Sequence, residues 1–313
     1  MNYEKRDGRF VLPGHMREAK FRDFMKWQLS GNRQKWPRRV ENKIHAPPAA
    51  RKAGKDLSVT WIGHSTVLIQ TAGLNILTDP FFSKRASPVQ FAGPKRIRDP
   101  GISIVDLPPI DLILLSHNHF DHLDAPALAA LKKIHAPRLI TTLNNGRYVK
   151  NYPCTELDWR QSVEHGEVRI TLMPALHWSK RNVSDTNKAL WGAFVIETAG
   201  GIIYFAADTG YGTGETFREV KLKFGAPRLS LLPIGAYEPR WFMKPLHMNP
   251  QEAVQAHLDL GSAKSLAIHH GTVQLTDEAV HAPIAALNDA MTHHKIKKAN
   301  FIVSEIGQSV KID

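Results

Sequence analysis

Six consecutive residues, His117-Asn118-His119-Phe120-Asp121-His122, carry four side chains able to ligate a metal, and they follow directly on the apolar run Asp111-Leu-Ile-Leu-Leu-Ser116. That juxtaposition limits the folds open to the chain. The run reads as a buried strand, and ligand sites in α/β proteins gather where such strands leave the sheet edge. In extended backbone His117 and His119 project to the same side and can share one ion, while Asp121 and His122 on the following turn can hold a second. A single buried histidine is usually a hydrogen-bonded core residue, but packing gives no reason for this density of ligands beside a strand. Asn118 and Phe120, alternating with them, are expected to point away and to pack or hydrogen-bond within the loop.

Two ions need more ligands than one loop supplies, and three later strand ends offer them. Segment 167–173 runs out to His177, segment 202–207 ends at Asp208-Thr209-Gly210, and segment 265–268 ends at His269-His270-Gly271. The resulting set has His117, His119 and His177 on one ion, Asp121, His122 and His269 on the other, and Asp208 as a bridge. Two cations about 3.5–4 Å apart lower the pKa of a shared water toward about 7 and stabilise charge on phosphoryl or carbonyl oxygens, so no side-chain nucleophile is required. Asp121 could also orient the attacking water or accept its proton. His165, in a His-Gly-Glu turn, and His270, facing away from its neighbour, are read as structural. The single cysteine, Cys154, excludes an intramolecular disulfide and a Cys-rich zinc cluster.

Apolar runs rich in Val, Ile and Thr predict strands at 57–62, 66–71, 74–78, 111–116, 138–142, 167–173, 191–197, 202–207, 229–233 and 265–269, with a hairpin turn at Ala199-Gly200-Gly201. Helices are expected at 125–134, 214–223 and 250–260, the last opened by Asn249-Pro250. The length suits one main domain, here 56–313, preceded by an arm over 1–55. Of the net charge of +12, the arm holds fifteen Lys/Arg against five Asp/Glu, or +10, which leaves +2 for the rest. Within the arm, Phe21, Phe24, Met25 and Leu29 recur at helical spacing, with Trp27 at one edge, Lys20, Arg22, Asp23 and Lys26 elsewhere, and Gly31 as C-cap. This short amphipathic helix can dock on the body, lie on an anionic membrane or touch nucleic acid. No RNA-recognition or zinc-finger pattern supports the last, and a near-neutral body argues against a phosphate-tracking channel, so no nucleic-acid partner is expected. Without an apolar signal segment or a run approaching eighteen apolar residues, the expected location is cytoplasmic, peripheral on the inner face of the membrane.

The pattern His117-x-His119-x-Asp121-His122 with His177, Asp208 and His269 resembles the metallo-β-lactamase superfamily, most closely its N-acylphosphatidylethanolamine-hydrolysing phospholipase D branch. The resemblance rests also on WIGHSTV at 61–67, LTDPFFSKRASPVQFAGPKRIR at 77–98, HWSKR at 177–181, NKALWGAF at 187–194, FAADTGY at 205–211, PIGAYEPRWFMK at 233–244 and AIHHGT at 267–272. It implies an α/β fold, an αββα four-layer sandwich, with zinc at both sites and the seven ligands carried over. The implied reaction is attack of a bridging hydroxide on a phosphodiester, releasing phosphatidic acid and an N-acylethanolamine, so the partners are a phospholipid substrate and a membrane surface. A homodimer is implied as well. His247 matches a histidine near the substrate head group and would contact phosphate or donate a proton, whereas Leu246 stands where the animal enzymes carry Gln. His64 and Asp79 would fix the orientation of ligands, with direct substrate contact a second reading for both. Tyr211, Tyr237, Trp241, Phe242 and Met243 are candidates for an acyl-chain groove or for ordinary packing.

Other readings are a soluble lactonase or hydrolase of small phosphorylated sugar esters, sharing the His-x-His-x-Asp-His pattern, and a lipid-binding module without turnover. Manganese or iron would accept the same ligands as zinc.

Overall fold

The computed structural model of the chain describes residues 1–14 and 21–313. A hairpin of β1 (Glu4–Arg6) and β2 (Arg9–Val11) precedes helix α1 (Phe21–Gln28). A meander of β3 (Leu57–Gly63), β4 (Thr66–Thr71) and β5 (Leu74–Thr78) leads to β6 (Leu112–Leu115), helix α2 (Ala125–His135), β7 (Arg138–Thr142) and β8 (Cys154–Leu157). A second meander follows, β9 (Ser162–His165), β10 (Val168–Met173), β11 (Ala193–Thr198) and β12 (Gly201–Phe205). It continues through α3 (Glu215–Phe224), β13 (Leu229–Pro233), the short α4 (Arg240–Met243), α5 (Pro250–Leu260), β14 (Lys264–Ile268), α6 (Ala282–His293) and β15 (Phe301–Ile302). The last strand, β16 (Ser309–Ile312), returns to the first sheet.

The two sheets have the orders β16-β3-β4-β5-β6-β7-β8 and β9-β10-β11-β12-β13-β14-β15. In each, three antiparallel pairings are followed by three parallel ones. Both are covered on both faces, which is why their parallel strands read as unbroken apolar runs. Alternate residues then divide between two cores. Leu112 and Leu114 pack between the sheets with Ile203, Phe205, Leu231 and Leu266. Ile113 and Leu115 face outward onto Leu128 and Leu131 of α2, while Tyr204 and Leu232 face Phe217 and Val220 of α3 and Val254 and Leu260 of α5. The layers are helix, sheet, sheet, helix, the αββα sandwich that the motifs imply.

The ten expected strands and three expected helices are present, with ends displaced by two residues or fewer. Strands β8, β9 and β16 escape the sequence pattern because they lie at or beside sheet edges, carry polar residues and show only partial burial. Helix α6 escapes it because it buries only Pro283, Leu287, Ala290 and Met291, too few large apolar residues to mark a helical stripe.

Helix α1 departs from its expected amphipathic orientation. Trp27, read as an edge residue, is the buried anchor: its Nε1 donates to Asp277 Oδ1 at 2.9 Å and its ring stacks on Phe242 at 5.4 Å. Phe24, Met25 and Leu29 remain exposed. Lys20 and the Phe21 side chain lie outside the described residues. Farther along the arm, Trp36 Nε1 donates to Glu278 O, and Gln34 N to Asp277 O. Several arm cations are neutralised on the body, in the pairs Arg39–Asp99, Lys43–Glu305 and Arg51–Asp111.

Helix α5 begins with a reciprocal cap: Asn249 accepts from Glu252 N at 2.8 Å, and Glu252 accepts from Asn249 N at 3.0 Å. Asn249→Ala should therefore cost about 1 kcal/mol of stability, measured as a lower urea midpoint with an unchanged denaturant slope.

Candidate metal centre

Strands β3, β5 and β6 of one sheet share a direction, as do β10, β12 and β14 of the other. Their C-terminal ends deliver His64, Asp79, the 117–122 loop, His177, Asp208 and His269 to one place. The backbone turns sharply there. His64 (φ 56°), Asp79 (φ 28°), Ala207 (φ 52°) and His269 (φ 59°) all adopt the left-handed region, a conformation that costs about 1–3 kcal/mol per non-glycine residue and collects at functional sites. Neighbouring bonds hold it: His269 N donates to His64 O at 2.9 Å, Asp79 N to Leu114 O at 2.9 Å, and His64 N to Thr272 Oγ1 at 3.0 Å.

Three imidazole nitrogens converge in a first group, His119 Nδ1 lying 3.0 Å from His117 Nε2 and 3.2 Å from His177 Nε2. Burial drives all three pKa values down, His117 well below 6.5, His119 to about 3 and His177 to about 4. These are neutral rings offering lone pairs. Their spacing suits a cation with nitrogen ligands at about 2.0–2.1 Å, for which adjacent nitrogens stand about 3.3 Å apart.

A second group joins Asp121, His122 and His269, with Asp121 Oδ2 at 3.3 Å from His122 Nε2 and 3.5 Å from His269 Nε2. Asp208 lies between the groups. Its Oδ2 is 3.1 Å from His122 Nε2 and 3.8 Å from His177 Nε2, and its Oδ1 is 3.2 Å from His269 Nε2. Yet His122 Nε2, His269 Nε2 and Asp208 Oδ1 are buried without a hydrogen-bond partner. They approach one another without hydrogen-bond alignment, as atoms aimed at a shared point do. Burial opposes charge on His122 and His269, but Asp208 and Asp121 outweigh it, raising His122 well above 6.5 and His269 to about 9. Burial likewise opposes ionisation of both carboxylates, and the same histidines outweigh it and hold them well below 3.8. The donor set fits a divalent cation in either group.

The outward nitrogens are fixed by partners, as metal-bound histidines require. Asp79 accepts from Ser116 N at 2.7 Å, from Ser116 Oγ at 2.5 Å and from His122 Nδ1 at 2.7 Å. Because the Ser116 hydroxyl donates to Asp79, its lone pair accepts the Nδ1 proton of His117 at 2.8 Å, which leaves Nε2 free to ligate. His177 Nδ1 donates to Leu246 O at 3.1 Å. His64 is fully buried, and its Nε2 meets Asp121 Oδ2 at 2.8 Å, so it steadies that carboxylate and does not face substrate. Ser116 escapes a reading of the sequence because a lone serine carries no signal; its position between the strand and His117 is the only clue.

All seven expected ligands come together, and His247 with them, its Nδ1 4.0 Å from Asp208 Oδ2. The expected aromatic groove does not form as one cluster. Tyr211 turns away, its hydroxyl donating to Asp259 at 2.7 Å and its ring stacked on Phe217 of α3, so it packs the helical layer. Phe242 stacks on Trp27, Trp241 lies exposed beneath the Lys26 ammonium, and Tyr237 and Met243 are buried. Asn118 is buried beside the ligands, the Phe120 ring packs against Arg181, and His270 stacks on Trp61 at 4.6 Å.

A model of the beta-lactamase superfamily domain matches residues 74–270. N-acyl-phosphatidylethanolamine-hydrolyzing phospholipase D 1 of Caenorhabditis elegans is 37% identical over 267 residues, covering 80% of this chain and 75% of its own. The mitochondrial enzyme of that name from Saccharomyces cerevisiae is also 37% identical, over 77% of this chain, which spans about half (53%) of the yeast protein. A metallo hydrolase from Ignicoccus hospitalis shares the fold, with a TM-score of 0.60 at 20% identity, covering 82% of this chain and 99% of its own. With its ligand-bearing strand ends, its layered sheets and these relatives, the chain belongs to the metallo-β-lactamase superfamily and is a metal-dependent hydrolase.

Proposed function

We propose that this hydrolase is a binuclear phosphodiesterase of phospholipase D type, releasing an N-acylethanolamine and phosphatidic acid from N-acylphosphatidylethanolamine-like phospholipids. The observation that carries the reading is the Asp208 carboxylate, set within 3.1–3.8 Å of donor nitrogens from both groups. One carboxylate between two ligand sets is what a pair of cations sharing a bridge requires. The names of the worm and yeast relatives supply the substrate class.

In this reading His117, His119 and His177 would hold one ion and Asp121, His122 and His269 the other, with Asp208 available to both, and zinc would be the resident metal. When bound, such ions polarise the phosphoryl oxygens and lower the pKa of water at the site. Asp121, steadied by His64, is placed to orient that water. His247 stands at the surface of the centre, partly exposed. Burial holds its pKa well below 6.5 despite Asp208, so it is neutral at physiological pH. A neutral imidazole suits an N–H contact to a phosphate oxygen better than proton donation to the leaving group. At the neighbouring position Leu246 contributes its carbonyl to His177 and buries its side chain, so the head group draws no side-chain hydrogen bond from it.

Approach to a membrane is supported by one surface. Phe24, Met25, Leu29 and Trp241 are exposed near Lys26, the mix of apolar and basic groups that binds an anionic interface. Among the described residues no helix is long and apolar enough to cross a bilayer, which fits a peripheral cytoplasmic enzyme in this reading; a homodimer belongs to the same proposal.

Metal-loaded protein should release N-acylethanolamine from vesicles containing N-acylphosphatidylethanolamine, with Asp208→Asn reducing kcat on the order of 10³-fold. Hydrolysis of a simple phosphodiester or lactone without turnover of the lipid would sink the substrate assignment and leave the metal chemistry standing. His247→Gln, which keeps a donor, should retain most of the kcat that His247→Ala loses. Because His247 is already neutral, wild type and His247→Gln should share one profile of kcat against pH between about 7 and 9. A raised pKa means that His122 and His269 are protonated at pH 7 before metal binds. Titrating zinc into chelator-stripped protein in buffers of different ionisation enthalpy should therefore reveal release of at least about two protons, those of the two imidazoles, with ionisation of metal-bound water adding to them.

A further inference from the structure

We infer that Arg181 is a positioning residue that locks the two ligand-bearing loops to each other, one from each sheet. It lies four residues beyond His177, on the loop leaving β10. From there it reaches the loop leaving β6, where Nη1 donates to Asn118 O at 3.0 Å and to Leu123 O at 2.8 Å. Those carbonyls bracket His119, Asp121 and His122. The guanidinium also lies 4.2 Å from the centre of the Phe120 ring, so it is spent on two main-chain oxygens and an aromatic face.

The bracketed loop needs such a restraint. It leaves the sheet after Leu115 and is tied within itself by two bonds to His119 O, from His122 N at 3.1 Å and from Leu123 N at 2.8 Å. Ligands carried on a strand inherit its rigidity; ligands on a turn must be held by other groups. Arg181 is itself anchored. Asp185 accepts from Arg181 N at 2.9 Å, Asn182 N at 2.7 Å, Asn182 Nδ2 at 3.0 Å and the Tyr148 hydroxyl at 2.9 Å. The N-terminal hairpin braces the same turn, through Arg9 to the carbonyls of Ser184 and Thr186 and through Phe10 N to Asn187 O. A continuous set of bonds thus runs from β2 through Asp185 and Arg181 to the loop carrying four ligands, and fixes its distance from His177.

This inference rests on the ligand assignment above, and the test separates the two. Metal affinity would be measured by competition with a chromophoric chelator, and coordination by the visible spectrum of the cobalt-substituted protein. Arg181→Met should weaken metal binding about 10–100-fold and shift the cobalt bands, while Arg181→Lys, which keeps a donor for both carbonyls, should recover part of both. Wild-type affinity and spectrum in Arg181→Met would overturn the role. Should Arg181→Met not fold, Asp185→Asn, which loosens the same turn, carries the test with the same two outcomes. His117→Ala is the control: metal retained at wild-type affinity there overturns the ligand assignment itself, whereas metal lost there but unaffected by Arg181→Met overturns only the inference about Arg181.

Discussion

The Asp79 carboxylate is the constraint on which the rest of the centre depends. It is wholly buried and accepts from Ser116 N, Ser116 Oγ and His122 Nδ1. Leaving a buried charge without its partner costs about 3–5 kcal/mol, so these donors are held firmly. The consequence reaches both ligand groups. Through Ser116 the carboxylate sets the tautomer of His117 in the first, and by direct contact it sets that of His122 in the second. Two imidazoles that would serve different ions in the proposed arrangement are thereby aligned by one side chain that would touch neither ion.

What can be read from the sequence is decided by how strongly each role marks the local pattern. The candidate ligands are legible because they cluster or sit at the ends of apolar runs, and the buried strands because a short unbroken apolar run fits a sheet covered on both faces. Alternation within Leu112–Leu115 is fixed as soon as the strand is recognised, since neighbouring residues must face opposite layers. Less legible are roles set by distant partners. Substrate contact stays open as a second reading for His64 until its ring is found behind Asp121. Trp27 looks peripheral to its helix because helical spacing ranks residues by periodicity, whereas its position is set by Asp277 and Phe242, 250 and 215 residues away. Tyr211, open to either a groove or a packing role from its sequence, is drawn into the helical layer by Asp259 and Phe217.

The strained strand exits have a common logic. Left-handed backbone at His64, Asp79, Ala207 and His269 bends each chain back on leaving its sheet, which brings polar side chains over the end of an otherwise apolar sandwich. Any of these segments continuing as strand would carry its functional group past the cleft. Folding stability elsewhere, in the three apolar cores, offsets the cost.

The matching order of pairings in the two sheets gives this centre a further meaning. Strands β3 and β10 hold equivalent places in their sheets and end at His64 and His177; β5 and β12 are likewise equivalent and lead to Asp79 and Asp208. Four ligands belong to the first half of the chain and three to the second, and each ion in the proposed arrangement draws on both. Neither half would supply the whole proposed ligand set of either ion. The ions would act as rivets driven through the seam between two similar plates, so that sliding one sheet against the other and emptying the centre become a single event.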